Sequence, residues 1–363
     1  MRLNKLLVFV VAMSAVLCGK IALSDTDKST GPVFKDDGTV EVPAFELPPS
    51  SFLSPEALAL QKSRAAPHAH SAPAKTIEEY RKVHDAALEK YVEAMRERFP
   101  TTMVEAPIAG IRTRTFTPRD KPVDPKRVLI NIHGGGFVGC EGACSQLESI
   151  PIASVGGFKV VSVLYRMAPE AVFPAGPEDI TRVYQELMKR YKPGNIGIFG
   201  CSAGGQLTAQ TTAWLASHSV ARPGAIGIFG AGGAASEAIR GDSNYLAAAI
   251  DAGSAPARMD TGGGSKPIRS YFEGSDLRGS LVSPMLHPDV LAKFPPTLFI
   301  TSTRAADLSN AVYGHSQLVK AGVPGDLIVA EGLGHCYLYA AQLPESQDAY
   351  EAVVRFFRAN LGH

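Results

Sequence analysis

A short apolar run, Ile196-Gly197-Ile198-Phe199, leads straight into Gly200-Cys201-Ser202-Ala203-Gly204-Gly205, and a stretch free of glycine and proline follows from 206 to 215. The order is buried strand, sharp turn, helix. G-x-S-x-G in that setting is the nucleophile-elbow pattern, in which the turn lifts a serine hydroxyl clear of the sheet. Small residues flank the serine because strand and helix backbones nearly touch there. The alternative is a Gly/Ser-rich turn with no chemistry, so the partners along the chain decide between the two.

The first partner lies upstream. Val128-Leu129-Ile130-Asn131-Ile132 is strand-like and ends in His133-Gly134-Gly135-Gly136-Phe137. Consecutive glycines let backbone N–H groups face open space, where they can hold an oxyanion. The expected donors are Gly134, Gly135 and Ala203, the residue after the serine. The second partner is downstream: Leu327-Ile328-Val329-Ala330 reads as a strand and is followed by Glu331-Gly332-Leu333-Gly334-His335. A histidine in a glycine-bearing loop after the last strand fits the chain order serine, acid, histidine. The remaining histidines lack this setting, and His133 is better placed to shape the glycine loop than to carry protons.

With these motifs in this order, residues 105–361 resemble the hormone-sensitive-lipase-like branch of the α/β-hydrolase carboxylesterases. Tyr165-Arg166-Met167-Ala168-Pro169-Glu170, Phe173-Pro174-Ala175 with Glu178-Asp179 beyond, and Ser283-Pro284 belong to the same resemblance. It implies an α/β-hydrolase fold with a mostly parallel sheet, ester hydrolysis through an acyl-enzyme, and an N-terminal helical cap over the site. It also locates a departure. The family's acid position, just after the strand 297–302, holds Ala305, and the nearest carboxylate is Asp307. Asp307 is the expected third member of a Ser202, His335, Asp307 set, carried there by a slightly different loop. Otherwise it only caps the helix starting at Leu308, and Glu331 and Asp276 are weaker candidates for the acid.

Cys201 stands at the variable position of the elbow, and Cys336 follows the histidine; the preferred reading of both is a small inert apolar side chain. The first 24 residues resemble an export signal: Arg2 and Lys5 precede an apolar run, 6–17, too short to span a bilayer, and Ala22-Leu23-Ser24 offers a cleavage site. Cleavage after Ser24 moves the net charge from +1 to about −2 by removing Arg2, Lys5 and Lys20. It leaves Cys140, Cys144, Cys201 and Cys336 in an oxidising compartment. A local Cys140–Cys144 bridge and free buried thiols are both compatible with that count.

A charge so near neutral argues against a dedicated nucleic-acid partner. No zinc-ligand spacing, phosphate loop or dinucleotide fingerprint is present, so the expected cofactors are none. The expected partner is a small-molecule ester, with no stable membrane span after signal removal and a homodimer left open.

Residues 25–75 are rich in Pro, Ser and Ala and read as an extended arm with one short helix near 55–62. Thr76 followed by Glu79 opens an amphipathic helix that stops at Pro100. The expected domains are therefore a signal (1–24), an arm and cap (25–104) and a catalytic body (105–363). In the body, strands at roughly 112–117, 128–133, 159–165, 196–200, 225–230, 297–302 and 326–330 alternate with helices at 145–155, 176–191, 203–217, 308–321 and 345–360. A lactonase or amidase would use the same residues, and a binding protein on a hydrolase scaffold is the non-enzymatic alternative.

Overall fold

The computed structural model describes residues 31–64, 76–236, 238–252 and 270–362. The expected export signal, His68 and His70 lie outside the described residues. Two compact units divide the chain, 1–48 and 49–363. In the first, β1 (Val33–Phe34) and β2 (Val40–Glu41) pair as an antiparallel hairpin.

The second unit is built on an eight-stranded sheet. Its strands are β3 (Thr101–Ile108), β4 (Ile111–Pro118), β5 (Val128–Ile132), β6 (Lys159–Val163), β7 (Ile196–Cys201), β8 (Ala225–Phe229), β9 (Thr297–Ser302) and β10 (Gly325–Ala330). They lie in the order β10-β9-β8-β7-β5-β6-β4-β3, parallel from β6 to β10 and antiparallel at β4 and β3. The central strands are apolar on both faces, as a parallel sheet covered on both sides requires. In β5 the alternation is visible: Val128, Ile130 and Ile132 join one core cluster and Leu129 the other.

Helices α3 (Cys144–Gly156) and α9 (Pro344–Asn360) cover one face, with α2 (Ile77–Arg98) packed on α3. The other face carries α4 (Ala175–Met188), α5 (Ala203–Ser217) and α8 (Leu308–Lys320). Phe357 of α9 is fully buried with its ring centroid 6.0 Å from that of Phe199, and burial of such a side chain contributes about 2–3 kcal/mol. Thr76 caps α2 by accepting the Glu79 N–H at 3.1 Å. Helix α1 (Pro55–Ser63) is the short helix anticipated near 55–62. No helix among the described residues is long and apolar enough to cross a membrane.

The sheet differs from expectation at its edge. β3 pairs with β4 along its whole length, from Thr101↔Pro118 to Ile108↔Ile111, so the body begins by residue 101 rather than 105. The strand escapes the pattern search because it is an edge: most of its side chains are exposed and it carries Glu105 and Pro107. Its only local mark is the Ala109-Gly110 turn, both residues at positive φ, a hairpin geometry. Two further helices, α6 (Asp242–Ala252) and the short α7 (Pro288–Leu291), were also not anticipated.

Candidate active site

β7 delivers Ser202 at the carboxyl end of the sheet, with φ 59° and ψ −124°. For a residue with a side chain this is a strained conformation. The surroundings impose it: a Cβ at Gly200 or at Gly204 would collide with the Ile132 carbonyl. The Ser202 N–H is fixed by the Phe229 carbonyl at 2.8 Å. Helix α5 starts at the next residue and turns its positive end toward the serine.

The loop after β10 carries His335, and the end of β9 with the loop after it holds it along its length. The Thr303 hydroxyl accepts the Gly332 N–H at 2.7 Å, Arg304 N–H donates to the Leu333 carbonyl at 3.1 Å, and the Ser302 hydroxyl donates to the Gly334 carbonyl at 2.8 Å. Asp307 closes the set. Its Oδ1 takes the His335 Nδ1–H at 2.6 Å and its Oδ2 takes the Thr301 hydroxyl at 2.6 Å. Asp307 starts α8, yet its side chain makes no capping bond. The carboxylate is 10% exposed and the imidazole 45%, so the carboxylate is shielded while the imidazole faces solvent. Ala305 is buried in the same turn. Glu331 is exposed, and Asp276 accepts the Arg278 N–H in its own turn.

The cysteines overturn the inert-thiol expectation. Cys201 and Cys336 are joined in a disulfide, so the residue before the serine is bonded to the residue after the histidine. A Cβ on Gly230 would come within 3.1 Å of both Cys201 Sγ and His335 Cε1, which places the imidazole against the elbow. Cys140 and Cys144 form a second disulfide. The pattern gave no way to pair residues 135 positions apart.

The glycine loop also departs from expectation at one position. The Gly134 N–H donates to Glu148 Oε1 at 2.8 Å, so Gly134 is not free to serve an oxyanion. Among the described residues, the Gly135, Gly136 and Ala203 N–H groups have no acceptor. His133 is fully buried, donates from Nδ1 to the Gly134 carbonyl at 2.7 Å and stacks on Tyr165. Burial lowers its pKa to about 4, so it is a neutral shaping residue. Glu148 itself was missed. It lies in the otherwise uncharged α3, and a lone carboxylate in such a helix was the available signal.

Behind the loop, α2 is fastened to the body by Arg81, which bonds the Val138 and Ala168 carbonyls at 2.6 and 3.0 Å and both oxygens of Glu170. Phe137 stacks on Tyr271 with ring centroids 4.9 Å apart, and Phe272 meets both rings edge-on, giving an aromatic wall beside the glycines. Among the described residues one cluster has metal-ligand spacing, His84, Asp85 and Cys140. Its sulfur is spent in the disulfide and Asp85 takes the Ala143 N–H at 3.1 Å.

A family model described as the alpha/beta hydrolase fold matches residues 129–339. A solved esterase, E25, is 30% identical with TM-score 0.75 and covers 89% of this chain and 99% of its own. An esterase of the bacterial hormone-sensitive lipase family is 25% identical with TM-score 0.69, over 85% of this chain and 97% of its own. The acetyl-hydrolase of Streptomyces hygroscopicus is 27% identical over 65% of this chain and 77% of its own length. Neutral cholesterol ester hydrolase 1 of Mus musculus is 34% identical over 28% of this chain, a match that spans only 27% of the mouse protein.

Proposed function

Because this chain belongs to the α/β-hydrolase fold family, in its hormone-sensitive-lipase-like branch, we propose that it is a serine carboxylesterase for short- to medium-chain esters. It is a carboxylic ester hydrolase by that kinship; the residue roles and chain length are the proposal. The observation that carries it is the 2.6 Å bond from His335 Nδ1–H to Asp307, at the loop that also bears the disulfide to the elbow.

In this mechanism Asp307 holds His335 in the tautomer whose Nε2 carries no proton. Nε2 takes the Ser202 proton as Oγ attacks the ester carbonyl. The oxyanion is received by the N–H groups of Gly135, Gly136 and Ala203, each worth about 10²–10³ in rate by comparison with other oxyanion donors. His335 then protonates the leaving alcohol, and a water activated by the same imidazole releases the acid. The aromatic wall of Phe137, Tyr271 and Phe272 would receive the acyl or alcohol chain. Residues 1–24 act as an export signal cleaved after Ser24, and helices α1 and α2, within the expected 25–104 segment, serve as cap.

The test is hydrolysis of p-nitrophenyl acetate, butyrate and longer esters by wild type, Ser202→Ala and Glu331→Gln. Ser202→Ala is expected to fall to background and Glu331→Gln to stay within about twofold, as an exposed side chain away from the site should. Full turnover by Ser202→Ala, or preference for lactones or amides over every ester, would end this reading.

A further inference from the structure

One side chain that ties this site together belongs to neither the elbow nor the histidine loop. Glu148 is buried, in the middle of a buried and otherwise uncharged helix, where an unpaired carboxylate is very costly. It is not unpaired. Oε1 accepts the Gly134 N–H at 2.8 Å and the Tyr339 hydroxyl at 2.6 Å; Oε2 accepts the Asn131 amide at 2.8 Å and the Cys201 N–H at 3.1 Å. One carboxylate therefore holds the first glycine of the oxyanion loop, the residue before the serine, the end of β5, and the turn after the histidine. Gly134 is close-packed in this grip: a Cβ there would lie 2.9 Å from both the Cys201 carbonyl and the Tyr339 hydroxyl.

Resting on the esterase reading above, we propose that Glu148 is a positioning residue that sets the oxyanion loop against the nucleophile, and that it does so as the carboxylate. By consuming the Gly134 N–H it fixes the 133–134 peptide plane, which turns the next two N–H groups outward. By consuming the Cys201 N–H it references that loop to the strand carrying Ser202. Four donors aimed at two oxygens leave no acceptor for an acid proton unless the Tyr339 hydroxyl turns round or a backbone bond is given up. Burial nevertheless pushes the Glu148 pKa up to about 7, against the pull of those four bonds. The ionisable groups facing it are Tyr339 and Tyr165, both kept neutral by burial that raises their phenols. Protonation of Glu148 thus loosens the oxyanion loop near neutral pH.

The experiment is kcat and KM for p-nitrophenyl butyrate across pH 5–9 in wild type, Glu148→Gln and Tyr339→Phe, with Ser202→Ala alongside. A glutamine amide turns its NH₂ toward one donor pair whichever way it lies, so kcat should fall about ten- to hundredfold with KM within about threefold. The acid limb of Glu148→Gln should titrate with one proton fewer than wild type. Tyr339→Phe removes a bond to the charged form and should move the acid limb up by about one pH unit. A Glu148→Gln enzyme with kcat within about twofold of wild type, or a Tyr339→Phe acid limb that stays put, overturns the proposal. If Glu148→Gln does not fold, the Tyr339→Phe limb decides alone. Loss of the esterase reading would show instead as an active Ser202→Ala or an inactive wild type.

Discussion

The two sides of Ser202 are fastened by different chemistry. On the histidine side, the loop bearing His335 is tied by a disulfide to the residue before the serine and by three hydrogen bonds to the end of β9 and the loop after it. On the glycine side, the loop 133–137 meets the same strand through a buried carboxylate. A covalent fastener answers to redox potential and is indifferent to protons near neutrality; a carboxylate answers to protons and is indifferent to reductant. The site can therefore be loosened from either side independently, and each side has its own probe.

The largest expected effect sharpens the histidine side. Asp307→Asn keeps the shape but removes the charge facing Nδ1–H, and kcat for p-nitrophenyl butyrate should fall by about 10³–10⁴. A variant with near-full rate would strip Asp307 of its role and leave the serine and histidine untouched.

Next comes the covalent tie. Cys201→Ala/Cys336→Ala opens a constraint that spans 135 residues and should lower stability by about 3–5 kcal/mol. In a thermal melt that is a loss of about 5–15 °C. Esterase rate at 25 °C should drop less than about tenfold, because the three hydrogen bonds remain to hold the loop. Wild type treated with a dithiol should behave the same way, while Cys140→Ala/Cys144→Ala should not. A melting temperature unchanged in the first pair would make the disulfide a bystander.

The smallest effect concerns the carboxylate side and has a fixed sign. The folded pKa of Glu148, about 7, lies above its ordinary value of 4.5, so the folded state holds this proton more tightly than the unfolded one. The stability that goes with the protonated form is fully present below pH about 4.5 and is lost as pH rises through about 7. Wild type should therefore lose melting temperature relative to Glu148→Gln between pH 5 and pH 8. The reverse trend would mean that the four donors outweigh burial. Ionisation that serves the oxyanion loop is thus obtained against stability.

What was legible in the sequence follows from the range of the interactions. The elbow at Ser202 and the histidine loop at His335 are local turn chemistry between strands, and local chemistry is written in adjacent residues. The bond between Asp307 and His335 was reachable because a loop has only one nearby carboxylate to offer, although Ala305 occupies the expected position. Glu148 was not legible: its partners stand at 131, 134, 201 and 339, and nothing in its own helix marks it except that it is charged. The Gly134 donor was misassigned for the same reason, since H-G-G-G specifies a loop but not which N–H is already taken. β3 was missed because an exposed edge strand needs no apolar face to betray it.

The Cys201–Cys336 bond has a topological consequence as well. The stretch between its ends includes β8, β9, β10 and Asp307. A protease that nicks the backbone anywhere between residues 202 and 335 produces two fragments that stay one molecule, joined within a residue of Ser202 and of His335. A cut chain and a lost active site would then be different events.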